Sequence, residues 1–219
     1  MKLGIAIPLT ADKEYTQFWD SFTLLQKPDY IYIRPPFRGH IDDIRNAMVM
    51  QGLKQECTHL LMLDTDQIYY NRDMINILLK DITERDVVGT VVHRGYKPFD
   101  PLVFRFGDKG LIKVPDDEVY SGDIIEVDAI GCGCVMYDTK VFKEINFPWF
   151  DDIARKAGVA GGNNPPGEDI NFSYKLRNKG FKIHVNTSIK IDHIFLGVAN
   201  RAWYLLHKKI TEAIKENEL

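Results

Sequence analysis

One short stretch of the chain combines the pattern of a buried strand with two acidic residues at its end. Residues 60–63 form an uninterrupted apolar run, which is typical of a strand buried on both faces of a parallel sheet. Asp64 and Asp66 follow directly. Because side chains alternate along an extended backbone, both carboxylates are expected to project to the same side. Ligands of open α/β sheets bind beyond the carboxyl ends of the strands, so the pair marks a candidate binding site.

The spacing of the two acids favours a bound cation. Like charges confined to a small space repel each other, and a divalent metal ion between them relieves that repulsion. The same D-x-D spacing is also found in turns that cap the end of a strand. The position of Asp64 and Asp66 directly after an apolar strand strengthens the metal interpretation, and both interpretations stay open at this point.

The composition is that of an ordinary globular protein. A length of 219 residues, with 45% hydrophobic and 27% charged residues, suits one domain with a substantial core. The net charge of -3 lacks the basic footprint of most nucleic-acid-binding proteins. The sequence shows no apolar run of about 18 residues that would span a bilayer and no cleavable leader, so a cytoplasmic location is expected. The three cysteines fit neither a disulfide framework nor a zinc spacing.

The first part of the chain alternates between strand and helix patterns. Strands are predicted at residues 2–8, 29–33 and 58–63, and helices at residues 14–26 and 42–55. This order predicts right-handed parallel crossovers and therefore an α/β domain. Neither a G-x-G-x-x-G motif after the first strand nor a P-loop is present, which argues against a dinucleotide-binding protein or a P-loop enzyme.

The rest of the chain contains shorter elements. The patterns predict a helix from Asn71, a strand at 86–92, a hairpin of 102–106 and 111–114, an acidic solvated loop at 115–123, strands at 124–130 and 134–137, helices at 141–145 and 168–178, strands at 181–185 and 189–191, and a final helix at 198–216. Residues 157–167 are rich in glycine, asparagine and proline. Two interpretations stay open for them, a mobile lid over a site and a disordered surface loop.

Several further motifs follow the acid pair along the chain. They are Gly131-Cys132-Gly133-Cys134, Pro148-Trp149-Phe150, Gly167-Glu168-Asp169-Ile170-Asn171-Phe172-Ser173 and His193. In this order and at these intervals, the motifs closely resemble those of glycosyltransferases of the GT-A fold, especially family 2-like enzymes. The resemblance covers nearly the whole chain, from the first strand through His193, and it is most specific in the acid pair and in Glu168-Asp169.

The resemblance implies a fold and an activity. The implied fold is a GT-A (Rossmann-like) α/β single domain over residues 1–219, with a central, mostly parallel sheet flanked by helices and a small antiparallel portion. Residues 1–95 would form the nucleotide-binding half and residues 96–197 the acceptor-binding and catalytic half, followed by a helix at 198–217. The implied activity is the metal-dependent transfer of a sugar from a nucleotide diphosphate sugar to a hydroxyl acceptor.

The resemblance also implies a metal site. In such enzymes the D-x-D motif binds Mn²⁺ or Mg²⁺, which bridges the diphosphate of the donor, a UDP-sugar by first expectation and a GDP-sugar as the alternative. Carried over, Asp66 would ligate the metal, Asp64 would contact the ribose or reach the metal through water, and His193 would complete the ligands. Oxygen ligands with one imidazole suit an octahedral ion better than a tetrahedral zinc site. A structural role for His193 after an apolar strand is the alternative interpretation.

Glu168 and Asp169 carry the implied catalytic step. Asp169 would be the general base that deprotonates the acceptor hydroxyl, which favours inversion at the anomeric carbon, and Glu168 would bind the acceptor or the sugar. Two neighbouring acids in a partly desolvated site raise one pKa toward a working range. Acids also stabilise a helix N-terminus by capping and through the macrodipole, and this structural role alone would explain the pair.

The remaining candidates for nucleotide or sugar binding rest on position and residue type. They are Pro8, Thr10, Arg34, Arg45, Gly131, Gly133 and Trp149. The first four are expected at or after strands of the nucleotide-binding half, where an arginine fork would pair with a phosphate or a base. The two glycines would let the backbone approach a ligand closely. The tryptophan would either stack on a sugar or pack in the core.

Three rival functions fit parts of the sequence. A haloacid-dehalogenase-like phosphatase would use Asp64, with Gly122-Asp123 and Asp128 imitating its last motif, but two strand–helix units precede Asp64 where that family usually has none. A nucleotidyltransferase is expected to carry a glycine-rich basic loop after the first strand, which this chain lacks. A non-catalytic domain that binds nucleotide sugars or glycans is the third rival. The motif spacings identify neither the nucleobase nor the sugar of the donor, and they do not give the oligomeric state. The acceptor class stays open between a glycan, a lipid, a protein, a small molecule and modified DNA.

Overall fold

The computed structural model describes residues 1–9, 15–108, 110–153, 167–195 and 198–217. Thr10 and the candidate lid, apart from Gly167, lie outside these described residues. The strands are β1 (Leu3–Ala6), β2 (Tyr30–Ile33), β3 (His59–Leu63), β4 (Gln67–Tyr69), β5 (Val87–Thr90), β6 (Val103–Gly107), β7 (Gly110–Lys113), β8 (Ile124–Val127), β9 (Ala129–Ile130), β10 (Cys134–Asp138), β11 (Ile183–Asn186), β12 (Ile191–Ile194) and β13 (Val198–Ala199). The helices are α1 (Thr16–Leu24), α2 (Ile41–Lys54), α3 (Met74–Asp81), α4 (Asp116–Val119), α5 (Lys140–Glu144), α6 (Glu168–Asn178) and α7 (Arg201–Asn217), with a 3-10 turn at Ile82–Glu84.

A seven-stranded sheet in the order β2-β1-β3-β10-β5-β11-β8 forms the centre of the described fold. β1 pairs in parallel with β2 and β3, and β5 pairs in parallel with β11. β10 runs antiparallel between β3 and β5, and β8 runs antiparallel along β11. Five of the seven strands therefore point the same way, and the predicted α/β class with a mostly parallel central sheet is confirmed.

Strand β3 is buried on both faces, as its apolar run predicts. Leu60 and Met62 pack in the hydrophobic cluster that contains Met48 of α2. Leu61 and Leu63 pack in the cluster on the other face, together with residues of α1 and α3. The four apolar side chains of β3, at residues 60–63, are at most 1% exposed, and full burial of such a side chain stabilises a fold by about 1.5–3 kcal/mol. β3 is therefore a well-anchored support for the acidic turn at its end.

A small antiparallel sheet brings the end of the described fold to that turn. β4 begins directly after Asp66, and β12 pairs with β4 in a register that sets His193 opposite Gln67. The backbone N–H of Ile194 donates to the carbonyl of Asp66 at 2.6 Å. This pairing places an imidazole beside the D-x-D motif although the two are 127 residues apart in sequence. The predicted hairpin, in a second small sheet, is confirmed as β6 and β7.

Two helix predictions are corrected. α2 begins after His40 at the N-cap position, so Asp42 and Asp43 lie in its first turn and neither one caps it as predicted. Acids in the first turn still interact favourably with the helix macrodipole. The predicted loop 115–123 contains α4, whose first turn is acidic in the same way.

Two strand predictions are also corrected. β12 includes Asp192 and His193, which are predicted to follow the strand. Residues 198–199 form β13, which pairs with β12, and α7 begins only at Arg201. Both differences arise from pairing partners of β12 that no local pattern reveals, β4 on one side and β13 on the other.

Helix α7 packs against the fold along one side. Tyr204 is buried next to Phe99, and its hydroxyl donates to Asp116 at 3.0 Å. Trp203 and Leu206 lie on the exposed side of the helix. Among the described residues, no helix combines the length and the apolar character that crossing a membrane requires.

Candidate functional site

The acidic turn after β3 is held by hydrogen bonds from its neighbours. The N–H of Asp64 donates to the carbonyl of Gly133 at 2.9 Å. The Tyr69 hydroxyl donates to the carbonyl of Asp64 at 3.1 Å. β10 starts directly after Gly133 and pairs Cys134 with Leu63. The two acids therefore project from a backbone that is anchored on both sides.

Gly131 and Gly133 are enclosed by protein side chains. A Cβ added to Gly133 would lie 3.1 Å from Val92 and 3.3 Å from Gln67. A Cβ added to Gly131 would lie 3.0 Å from Leu102. Close packing within the protein is thus sufficient to explain both glycines, without the ligand contact that the sequence predicts.

Arg45 links the two acidic motifs. It lies in α2, not at or after a strand as predicted, and its side chain is only 3% exposed. Its Nη2 donates to both carboxylate oxygens of Asp64 at 2.8 Å, and its Nη1 donates to Glu168. The Arg45 guanidinium is therefore paired with two protein carboxylates, whereas the sequence predicts that it pairs with a phosphate or a nucleobase.

Three carboxylates, those of Asp64, Glu168 and Asp169, surround this one guanidinium. Burial raises the pKa of Glu168 to about 7; Arg45 opposes this increase and Asp169 adds to it. Burial also raises the pKa of Asp64 and that of Asp169, again against the attraction of Arg45. Because three acids share one cation in a partly desolvated space, the cluster retains a proton closer to neutral pH than isolated carboxylates do.

Asp169 is oriented by backbone N–H groups. Its Oδ1 accepts a hydrogen bond from the N–H of Ile170 at 2.7 Å in the first turn of α6. The backbone of Cys132, in the loop before β10, also lowers the pKa of this carboxylate and so favours its ionised form. The residue stays partly exposed. A carboxylate that is fixed in this way and still reachable can accept a proton from a hydroxyl group placed beside it.

Asp66 and His193 form a second charged pair. His193 Nε2 lies 3.1 Å from Asp66 Oδ2, and Gln67 donates to Asp66 Oδ1 at 3.0 Å. Burial alone would raise the pKa of Asp66, but the contacts with His193 and Gln67 outweigh it, so this pKa lies below its usual value. Burial alone would lower the pKa of His193, but the contact with Asp66 outweighs burial, so this pKa lies above its usual value.

The chemistry of this pair fits a divalent cation. His193 Nδ1 faces the carbonyl of His93 at 2.7 Å, and since a carbonyl only accepts, Nδ1 carries a proton. Nε2 is then the nitrogen that faces a carboxylate oxygen of Asp66, and either a proton or a metal ion can lie between these two atoms. One carboxylate and one imidazole suit Mn²⁺ or Mg²⁺ whose other ligands are phosphate oxygens and water.

The protein donors alone do not complete a metal site. Within the described ranges, no group of three or more His, Cys, Asp or Glu side chains is arranged to hold an ion. Asp64, predicted as a ligand or a ribose contact, directs both carboxylate oxygens to Arg45. The arrangement therefore fits an ion that is completed by the phosphates of a substrate, with Asp64 beside it and not directly bound.

The other predicted ligand-binding residues differ in burial and in their surroundings. Trp149 is 6% exposed, and its Nε1 donates to the carbonyls of Phe142 and Ile145, so its surroundings favour the core role over sugar stacking. Pro8 is buried two residues after the end of β1, and Arg34 is exposed directly after β2. Because β1 and β2 are adjacent and parallel, these two residues follow neighbouring strand ends.

The residues of the rival phosphatase do not assemble around Asp64. Asp123 lies in an exposed turn, and Asp128 pairs with Arg177 at 2.8 Å. Both flank β8, an edge strand that is separated from β3 by β10, β5 and β11. At the usual strand spacing, this places them about 19 Å across the sheet from β3.

Asn46 is a site residue that the sequence analysis missed. Its Oδ1 accepts hydrogen bonds from the N–H groups of Trp149 and Phe150 at 3.0 and 3.1 Å, and its Nδ2 donates to the Phe150 carbonyl at 2.7 Å. It follows Arg45 in α2, so it anchors the 149–150 segment against the helix that carries the guanidinium. The available sequence signal is that Asn46, like Arg45 beside it, is a polar residue on the inner face of a predicted helix.

Replacing Asn46 with alanine is expected to lower the free energy of unfolding by about 2–3 kcal/mol, because buried backbone groups of Trp149 and Phe150 lose their partner. Urea unfolding measures this change. Asn76→Ala is the matched control, since Asn76 is exposed on α3, and it should stay within about 0.5 kcal/mol of the parent. Equal effects of the two substitutions would contradict the anchoring role.

Solved proteins that share this fold include A197 from STIV and S. aureus TarS. A197 from STIV matches with a TM-score of 0.60 and 19% sequence identity, over 89% of this chain and 86% of that chain. S. aureus TarS 1-349 in complex with UDP matches with a TM-score of 0.51 and 15% identity, over 89% of this chain and 60% of that chain. TarS 1-349 in complex with UDP-GlcNAc matches with a TM-score of 0.50 and 14% identity, over 89% and 58% of the two chains.

These similarities establish the fold and not the activity. The chain has the GT-A-type arrangement that its motifs predict. It spans most of A197 but only about three fifths of TarS 1-349. No protein-family model matches the chain, and a search of curated proteins finds no significant match.

Proposed function

We propose that this protein is a glycosyltransferase that uses a nucleotide diphosphate sugar together with a divalent metal ion. The observation that carries the proposal is the meeting of the Asp66–His193 pair and the Asp64–Arg45–Glu168 cluster at the carboxyl end of β3. Fold similarity to TarS in complexes with UDP and UDP-GlcNAc supports a nucleotide-sugar donor. A UDP-sugar is therefore the first donor to test, with a GDP-sugar as the alternative.

Asp66 and His193 are proposed to hold Mn²⁺ or Mg²⁺ through a carboxylate oxygen and Nε2. Bound there, the ion would neutralise the charge that develops on the departing nucleoside diphosphate. Asp64, held by Arg45, would face the ribose or a metal-bound water. The backbone hydrogen bond from Ile194 to the Asp66 carbonyl ties β12, which carries His193, to the turn that carries Asp66.

The nucleoside is proposed to lie over the neighbouring ends of β1 and β2, in the half of the chain spanning residues 1–95. Pro8 and Arg34 follow these strands, and Thr10 is two residues further along the chain than Pro8. The exposed guanidinium of Arg34 would donate to a phosphate or to a base carbonyl. Residues 96–197 are proposed to bind the acceptor, within the same single domain.

Asp169 is the proposed general base. The oxygen of the acceptor hydroxyl attacks the anomeric carbon, its proton passes to the Asp169 carboxylate, and the bond from the anomeric carbon to the diphosphate oxygen breaks. The electron pair of that bond leaves with the nucleoside diphosphate. Attack from the face opposite the leaving group inverts the anomeric centre. A positioned base of this kind contributes about 10²–10⁴-fold to the rate.

Glu168 is proposed to bind a hydroxyl of the acceptor or the sugar with the oxygen that Arg45 does not hold. Its side chain is 12% exposed, which leaves limited access for such a contact. Arg45 thereby positions both Glu168 and Asp64, one from each acidic motif. A non-catalytic binding domain would need Asp66 and His193 but would have no use for a proton acceptor at Asp169.

A nucleotide panel with and without Mn²⁺ tests the proposed function. We expect one of UDP, GDP, CDP and dTDP to raise the thermal midpoint, with most of the increase requiring the metal. Asp66→Ala should weaken the metal-dependent stabilisation by at least about tenfold in apparent affinity, since loss of even an outer-shell partner costs 10–100-fold. Asp123→Ala, an exposed acid beside the edge strand β8, is the matched control and should behave like the parent.

Two outcomes of this panel would contradict the proposal. The metal site fails if no nucleotide stabilises the fold in a metal-dependent way, or if Asp66→Ala behaves like Asp123→Ala. Release of inorganic phosphate from a generic phosphoester, abolished by Asp64→Asn, would instead identify a phosphatase.

A further inference from the structure

We infer that residues 93–101 form a buttress that positions His193, and that this segment sets how tightly the site holds a divalent cation. The inference rests on the proposed function, because it assigns positioning residues to the same metal site. His93 and Gly95 are the two members of the buttress that contact the imidazole of His193. Neither residue donates a ligand atom.

The first contact fixes which nitrogen of His193 faces the ion. The carbonyl of His93 accepts from Nδ1 of His193 at 2.7 Å, which keeps the proton on Nδ1 and directs Nε2 toward Asp66. Partners of this kind, one step removed from the metal, change metal affinity by about 10–100-fold when they are lost. The position of the His93 carbonyl therefore contributes to metal affinity although this carbonyl is not a ligand.

The second contact closes the other side of the ring. A Cβ added to Gly95 would lie 2.7 Å from Nε2, 3.0 Å from Cε1 and 3.2 Å from Cδ2 of His193. The backbone of Gly95 lies outside the left-handed region, so conformational freedom does not explain a glycine here. Contact with the imidazole does explain it, because no larger residue fits without moving Nε2.

The ends of the buttress are tied together. The N–H of Leu102 donates to the carbonyl of Val92 at 2.8 Å, and the N–H of Arg94 donates to the carbonyl of Asp100 at 2.9 Å. His93 also forms a β-bridge with Pro101. These bonds close the segment into a compact loop, and neither Asp66 nor His193 takes part in them.

A buried carboxylate stabilises this loop. The side chain of Asp100 is 2% exposed and lies between two cations, Arg94 at 2.8 Å and Lys113 at 2.7 Å. Burial alone would raise the pKa of Asp100, but these two partners outweigh it, so the pKa stays below its usual value. Asp100 therefore holds the segment to β7, which carries Lys113.

The His93 side chain anchors the residue whose carbonyl faces His193. Its Nε2 lies 2.9 Å from the Tyr120 hydroxyl, and the two rings are nearly parallel, with an angle of 10° between them. The ring is 4% exposed, so the protein encloses it almost completely. Phe99 adds an aromatic contact with Phe195, two residues after His193.

A purely structural role would predict a different result from a positioning role. If the buttress only stabilised the fold, substitutions in it would lower the thermal midpoint without changing the concentration of Mn²⁺ that the site requires. A positioning role predicts a weaker affinity for Mn²⁺ that is overcome when the ion is raised to saturation. The two roles are therefore separated by titrating the metal.

The test is a Mn²⁺ titration of the full chain with UDP, followed by thermal shift, for the parent, Gly95→Ala and Gly39→Ala. Gly95→Ala is expected to need at least about tenfold more Mn²⁺ for half of the stabilisation and to reach the parental increase at saturation. Gly39→Ala is the matched control, because its added Cβ meets only Phe37 at an ordinary 3.5 Å. It should titrate like the parent.

Tyr120→Phe gives a second variant that removes one hydroxyl and keeps the ring. It is expected to weaken Mn²⁺ affinity in the same direction and by less than Gly95→Ala. The buttress is overturned if the variants that fold titrate like the parent, or if they lose stability without a change in metal affinity. A parent that shows no Mn²⁺-dependent stabilisation by UDP would overturn the proposed function with this donor, which is a separate result.

Discussion

Replacing Arg45 with methionine is expected to lower the free energy of unfolding by about 3–5 kcal/mol. The substitution leaves the carboxylates of Asp64 and Glu168 largely buried without their shared cation, and an uncompensated buried charge has a cost of that size. Methionine keeps much of the volume, so the loss reports charge and hydrogen bonding more than a cavity. Urea unfolding near pH 7 measures the change.

The pH dependence of this variant has a defined sign. The pKa of Glu168 is about 7 in the folded protein, against an ordinary value of 4.5, so the folded state binds the proton more tightly than the unfolded state. The contribution of Glu168 to stability is therefore largest below pH 4.5 and falls as the pH rises toward 7. Without Arg45 the folded pKa rises further, so the deficit of the variant should shrink as the pH is lowered from 7 to 5.

Two companion variants make the Arg45 result specific. Arg72→Met changes an exposed arginine and should stay within about 0.5 kcal/mol of the parent. The double variant Arg45→Met/Glu168→Gln should recover part of the loss, because it removes one of the two unpaired carboxylates. A loss below about 1 kcal/mol in Arg45→Met, comparable to an exposed ion pair, would contradict the central position assigned to Arg45.

Replacing Asp169 with asparagine is expected to lower sugar transfer by about 10²–10⁴-fold while nucleotide binding is retained. An amide has the shape of the carboxylate, and its oxygen still accepts from the N–H of Ile170, but it cannot take a proton from the acceptor. The rate of sugar release from the donor, to an acceptor or to water, measures the effect. Metal-dependent nucleotide binding is measured in parallel.

The comparison of turnover with binding separates three interpretations of Asp169. Loss of turnover alone supports the general base. Parental turnover in Asp169→Asn would contradict that role, and loss of both properties would show that the residue holds the site together instead. Asp123→Asn is the matched control, because it makes the same chemical change at an exposed position beside β8.

Local sequence patterns are sufficient to predict the strand and the helix start that carry the acidic residues of the site. The apolar run of β3 and its sharp end at Asp64 follow from side-chain alternation within a few residues, and the structure buries both faces of that strand. The acids that open α6 were likewise predicted at the start of a helix. Both features depend on neighbours in sequence, which is why single-sequence reasoning reaches them.

Long-range pairings were beyond that reasoning. β10 inserts antiparallel between β3 and β5, and no periodicity in its own residues reveals this position. Arg45 was predicted as a ligand-binding arginine, because nothing in α2 shows that Asp64 and Glu168 would meet its guanidinium. Gly95 carries no local signal either, since its contact with His193 depends on how the buttress closes over β12.

The most direct test of the proposed function is to locate the metal ion itself. A crystal grown with UDP and MnCl₂, measured at a wavelength where manganese scatters anomalously, would show the ion independently of the protein density. We predict one anomalous peak in contact with the Asp66 carboxylate and Nε2 of His193, bridged to the diphosphate. A bound diphosphate with manganese at other residues, or with none between Asp66 and His193, would contradict the account.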